Sequence, residues 1–291
     1  MPIGRKDHEP GGIMVGLADT QLHVVKRGEG YPLFVLHGGP GLDHHMFADY
    51  LDPLENQFHL YFLDQRGQGR SAPANPNRLT LEQMAKDIIL LVEALDIQDF
   101  AVLGHSYGAL VALQNAVDFP GAASHTIVSS GFPSARFLAH VTENLEAFEP
   151  EYMRDVISAS WSREAAVVSE SEVANLLHDQ LPFHFANPLD PRIAEYEAKT
   201  AGTIFSPDVL RHFASQEYGG IEVENSLPKV IQPTLVIAGR HDRTCSVEAS
   251  QTIADGIPGS QLVICEESGH MTFVEENPKY LAEVRNFLLY T

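Results

Sequence analysis

The chain has 291 residues, 44% of them hydrophobic and 20% charged, and a formal net charge of −20 from 39 acidic and 19 basic residues. That balance excludes the basic face a nucleic-acid partner requires, while the length supports one large α/β core or a core with an inserted subdomain. Two cysteines, Cys245 and Cys265, are too few for a disulfide framework, and no apolar run reaches the ~20 residues of a membrane helix, so a soluble cytoplasmic protein with no membrane partner is expected.

Residues 1–16 carry charges but lack the apolar region of a signal peptide. Residues 13–17 and 21–26 flank Ala18-Asp19-Thr20 and predict an opening antiparallel hairpin. The apolar runs at 31–36 and 59–63 predict buried strands, with a helix over 43–54 between them. Thr80 is an N-cap residue with Gln83 at the capping-box position, and Met84, Ile88, Leu91, Val92 and Leu95 follow at helical spacing. A strand at 100–103 runs into Gly104-His105-Ser106-Tyr107-Gly108 and then a helix over 109–117. Another short strand covers 126–128. From 132 to 231 the pattern turns mainly helical, and the alternation resumes with a strand at 234–239, a helix at 246–257, a strand at 261–265 and a helix at 278–289. Alternating strands and helices imply a mostly parallel sheet covered on both faces. The expected organisation is a core over residues 1–131, a mainly helical cap over 132–231, and the rest of the core over 232–291.

The chemistry gathers at the predicted carboxyl ends of strands. A serine between two glycines at a strand-to-helix turn is held out as a nucleophile, provided a base reaches it. Asp242 and His270 each follow a different later strand. The order Ser106, Asp242, His270 is that of a nucleophile, a carboxylate that orients the base, and the base. Asp255 is a weaker rival for the acid because it falls at the end of a helix. For a developing oxyanion, the Tyr107 N–H follows the nucleophile. A second donor is expected from the loop His37-Gly38-Gly39-Pro40-Gly41, with Gly39 preferred over Gly38.

Two segments then carry a narrower likeness. With its H-G-G-P-G loop at 37–41 and Asp64-Gln65-Arg66-Gly67-Gln68-Gly69-Arg70-Ser71, the chain resembles the proline iminopeptidases of the α/β-hydrolase superfamily. Ala109 stands where many relatives carry a glycine, and the cap is divergent. The resemblance implies an α/β-hydrolase fold, a mostly parallel sheet flanked by helices with the cap inserted between strands. It implies Ser106, Asp242 and His270 as a catalytic triad and the Gly39 and Tyr107 amides as oxyanion hole, with no metal and no cofactor. The expected reaction releases an N-terminal proline through an acyl-enzyme; the alternative is a carboxylesterase, lactonase or amidase acting on small acyl substrates. A short peptide or small acyl compound is therefore the expected partner. A prolyl substrate presents a cationic amine, and in this family the carboxylates that receive it come largely from the cap. Glu217, with Glu222 and Glu224 as rivals, is the candidate, and Gly38 is placed beside the substrate. Phe132, Phe137, Trp161, Phe183, Phe185 and Phe213 are candidates for the pocket wall or the cap core.

Overall fold

The structure, a computed structural model, describes residues 11–290. Eight strands form one sheet in the order β1-β2-β4-β3-β5-β6-β7-β8. The hairpin of β1 (Gly12–Gly16) and β2 (Gln21–Arg27) is antiparallel, and β2 runs antiparallel to β4 (Phe58–Asp64). The remaining strands, β3 (Tyr31–Leu36), β5 (Ala101–His105), β6 (His125–Ser129), β7 (Thr234–Gly239) and β8 (Gln261–Cys265), are parallel. Successive side chains of a strand enter opposite faces, which is why the buried strands read as unbroken apolar runs. Phe34 and Leu36 pack in one core with α1 (Leu81–Ala94), α2 (Tyr107–Asp118) and α8 (Val247–Gly256). Leu33 and Val35 pack in the other, against Phe47, Leu54 and α10 (Asn277–Tyr290).

Between β6 and β7 the chain forms a helical insertion, the cap. It contains α3 (Ala139–Glu146), α4 (Glu151–Arg163), α5 (Glu170–His184), α6 (Arg192–Lys199) and α7 (Pro207–Ala214). A short helix α9 (Thr272–Glu275), which the sequence pattern did not signal, precedes α10.

The helix expected over 43–54 does not form. Two 3-10 turns, His44–Phe47 and Asp52–Leu54, take its place. The Asp43 carboxylate accepts the His45 N–H at 3.0 Å, Ala48 turns the chain at φ +44°, and Pro53 denies a helical donor. At α1 the Thr80 hydroxyl caps the Gln83 N–H as expected, but the Gln83 side chain reaches forward to Asp87 at 2.9 Å instead of back to the cap.

The strand-to-helix turn between β5 and α2 depends on two missing side chains. A Cβ on Gly104 would lie 2.0 Å from the Gly108 carbonyl oxygen, and one on Gly108 would lie 2.2 Å from that of Leu36. Both obstacles are backbone atoms inside the core, which side-chain rotation cannot relieve. Gly104→Ala and Gly108→Ala are each expected to cost ~3 kcal/mol or more. A thermal melt of either variant matching the wild type would contradict this packing.

Candidate active site

Ser106 caps the end of β5 with φ +57° and ψ −122°, a conformation unusual for a residue with a side chain. Its amide donates to the Ser129 carbonyl at 2.9 Å, which ties the turn to β6. The Ser106 side chain lies in the wall of a cavity of about 360 Å³, shared with Gly39, Tyr107 and His270. Tyr107 is the first residue of α2, so its N–H has no partner within the helix and sits at the positive end of the helix dipole.

Asp242 and His270 meet behind this wall. His270 Nδ1 donates to Asp242 Oδ2 at 2.8 Å, while Asp242 Oδ1 accepts from the Thr244 hydroxyl and amide (both 2.8 Å) and the Cys245 amide (2.9 Å). Burial alone would push the Asp242 carboxyl up. The neighbouring His270 and these donors overcome it and hold the group at about 2. With Nδ1 turned to the carboxylate, the basic nitrogen of His270 is Nε2. Two further imidazoles surround this ring, His105 at 5.0 Å and His184 at 5.1 Å between centroids. Burial drives His105 well below the ordinary histidine range and, with the nearby His270, takes His184 to about 3, so both are neutral near pH 7. Asp255, the rival acid, is exposed on α8 and accepts from Gln251.

The two glycine-rich segments are joined. His37 accepts the Gln65 N–H at Nε2 (3.2 Å) and donates from Nδ1 to the Gly38 carbonyl (2.8 Å), and burial keeps it neutral. Gln65 Nε2 donates to the His37 carbonyl, and Gln68 Oε1 accepts the Gly41 N–H at 2.6 Å. Arg66, fully enclosed, forks onto Asp87 at 2.7 Å and also reaches Asp19. Segment 64–71 is thus the frame that holds the 37–41 loop. Gly38 stands directly behind Ser106, where a Cβ would come within 3.0 Å of the serine Cβ. Its N–H is taken by Met46 Sδ at 2.7 Å, so it does not face the cavity. Gly39, at φ +114°, is the loop glycine in the cavity wall with Tyr107.

The mostly parallel sheet flanked by helices agrees with the expected fold, and residues 31–277 match the family model described as alpha/beta hydrolase fold. The chain belongs to that α/β-hydrolase family. It is 30% identical to a proline iminopeptidase from Clostridium botulinum over 272 residues, covering 88% of this chain and 89% of the relative. Among solved structures, an alpha/beta fold family hydrolase from Bacillus anthracis superposes with a TM-score of 0.80 at 24% identity, covering 95% of this chain and 98% of that one. An esterase from Exiguobacterium antarcticum superposes with 0.75 at 23% identity, covering 95% and 99%. No helix among the described residues of this hydrolase is long and apolar enough to cross a membrane.

The cap supplies much of the rest of the wall, and here one expectation needs correction. Glu217 is exposed and does not line the cavity; its neighbour Tyr218 does. Both residues have positive φ, 51° and 54°, and this reversal points the tyrosine inward and leaves the carboxylate in water. Glu222 accepts from Ser134 and Glu224 pairs with Arg136, also away from the cavity. The buried acid in the wall is Glu164, which accepts from Gln180 Nε2 at 2.7 Å and from the Tyr218 hydroxyl. Burial pushes its carboxyl up, partly offset by those two donors. Nothing in local sequence marks Glu164, because its partners lie 16 and 54 residues away. Of the aromatic candidates, Phe132 and Trp161 line the cavity; Phe137, Phe183, Phe185 and Phe213 pack in the cores.

Three clusters among the described residues offer metal-ligating atoms within 4.8 Å of one another, one of them Asp242, Cys245 and His270. In another, Asp64 already accepts from His23 Nδ1 (3.0 Å), His44 Nδ1 (2.6 Å) and the Arg70 amide (2.9 Å). In the third, Asp43, His44 and His45, the His45 Nδ1 donates to Asp43 Oδ2 at 3.0 Å. Cys245 and Cys265 are both free and buried, and burial raises both thiols, Cys265 to about 12.

Asp242→Asn replaces an acceptor by an amide and is expected to lower kcat on p-nitrophenyl acetate about ten-thousand-fold with the fold retained by circular dichroism. A loss under tenfold would remove Asp242 from the reaction. Because the folded state lowers this carboxyl from 3.8 to about 2, its ionisation stabilises the fold above pH 4, by about 2 kcal/mol, and that is lost as pH falls toward 2. Acid denaturation of Asp242→Asn should therefore lack that part of the slope.

Proposed function

We propose that this protein is a serine hydrolase that releases an N-terminal proline from peptides through an acyl-enzyme on Ser106. The observation that carries the reading is the buried carboxylate of Glu164 in the same cavity wall as Ser106 and His270. A cationic secondary amine with a small apolar ring fits such a cavity, because the remaining wall is largely apolar side chains such as Phe132, Leu138, Val141 and Leu181. Glu197, the other acid in the wall, is half-buried and pairs with the exposed His178, whereas Glu164 is buried, which favours Glu164 as the amine's partner. The resemblance to proline iminopeptidases over most of the chain supports the same substrate class.

In this reading His270 Nε2 takes the Ser106 proton as Oγ attacks the prolyl carbonyl carbon. The Gly39 and Tyr107 amides receive the oxyanion. Collapse of the tetrahedral intermediate breaks the C–N bond, and His270 returns the proton to the leaving amine. Water then attacks the prolyl ester, with His270 again the base, and releases proline. Asp242 keeps the imidazole in one tautomer throughout.

A second reading, hydrolysis of small carboxylesters or lactones, is favoured by the apolar wall and by Glu164 already having two donors. A panel of prolyl-arylamide, its N-blocked analogue and short p-nitrophenyl esters separates the two. The proline reading expects fast turnover of the free amine and slow turnover of the blocked one. A charge-assisted hydrogen bond contributes about 1.5–3 kcal/mol, so Glu164→Gln should raise KM for the prolyl-arylamide about tenfold to a hundredfold and leave ester turnover unchanged. Equal rates on free and blocked substrates would reject amine recognition.

A further inference from the structure

The geometry points to the cap segment 183–186 as a strut that fixes Asp242 and His270 together, with Arg243 and Glu275 as its positioning residues. Helix α5 ends at His184, where its last carbonyls have no helical partners. Arg243, next to Asp242 in the chain, fills that role. Its Nη1 donates to the carbonyls of Phe183 (3.1 Å) and Phe185 (2.6 Å), and its Nη2 to that of Ala186 (3.1 Å). The same segment is held by the base loop. The His270 amide donates to the His184 carbonyl at 2.7 Å. Glu275 accepts the Ala186 N–H on Oε1 and the Gly269 N–H on Oε2, both at 2.8 Å, so one carboxylate bridges cap and base loop. The approach is as close as backbone allows. A Cβ on Gly269 would meet the His184 oxygen at 2.6 Å and the Ala186 nitrogen at 2.7 Å. From the other side, Asn144 of α3 donates to the Arg243 carbonyl at 3.0 Å.

Gln180, Leu181 and His184 of the same helix line the cavity. Whatever fills the cavity therefore bears on α5, and the end of α5 is bonded to the loops that carry Asp242 and His270. The strut makes the alignment of acid and base depend on the seating of the cap. This rests on the reading of Ser106 as nucleophile.

The test compares Arg243→Ala and Glu275→Gln with the wild type, using a fluorophosphonate that labels Ser106 and p-nitrophenyl acetate. Glu275→Gln keeps the volume but turns one acceptor into a donor facing an N–H. A displacement of about 1 Å at a reacting group costs about a hundredfold, so both variants should lose roughly that much in labelling rate and kcat. KM should stay within about threefold. Added ethylguanidinium should restore part of the Arg243→Ala rate, which a merely structural role would not show. Glu275→Gln carries the test if Arg243→Ala fails to fold. Folded variants that label at the wild-type rate, or that change KM alone, would overturn the strut. Wild-type protein that fails to label would remove the Ser106 reading and the strut with it.

Discussion

Asp242 is enclosed by protein and yet stays ionised, and the arrangement around it follows from that constraint. A carboxylate without water must receive its hydrogen bonds from the protein, or it takes up a proton. Here His270, the Thr244 hydroxyl and two consecutive backbone amides supply them. Those amides require the chain after β7 to curl around the carboxylate, which places Arg243 on the outside of the curl. The imidazole, in turn, has its protonated nitrogen chosen for it. Neighbouring His105 and His184 remain neutral near pH 7, because burial disfavours their charged forms.

The segment at 64–71 illustrates how a stretch of chain can frame a glycine loop without itself lining the cavity. Arg66 is spent on Asp87 and Asp19, and Gln65 and Gln68 are spent on the 37–41 loop. Asp64 closes a buried network with His23 and His44. A glycine loop has no side chains to lock its own amides in direction; this frame does so from behind.

Much of this was legible in the sequence. Strands buried on both faces have to be apolar throughout, so 31–36 and 234–239 announced themselves, and the parallel order fixed where Ser106, Asp242 and His270 would gather. The turn at Asp43 was not legible, because a side chain capping its own backbone competes with a helix at the same composition. Thr244 was hidden by its ordinary character; only the proximity of Asp242 and His270 gives its hydroxyl a purpose. Glu164 and Arg243 were out of reach for a different reason. Their meaning comes from contacts between the cap and the rest of the chain, and helical periodicity records which face of a helix is apolar, not what a neighbouring helix brings to it. Glu217 misled because proximity in sequence to the cavity wall was right by one residue, and two consecutive positive φ angles decided which side chain entered.

The cap leaves the sheet after β6 and returns as β7, and these two strands are hydrogen-bonded neighbours. Lengthening or rebuilding a loop whose ends are already fixed side by side costs little entropy, growing only with the logarithm of its length. The core can therefore keep its register while the segment between 130 and 233, which lines much of the cavity, changes sequence. That freedom has a boundary at Phe183, His184, Phe185 and Ala186, whose backbone groups are shared with the loops of Asp242 and His270. A change of cap sequence is therefore freest away from these four residues, whose backbone groups both loops use.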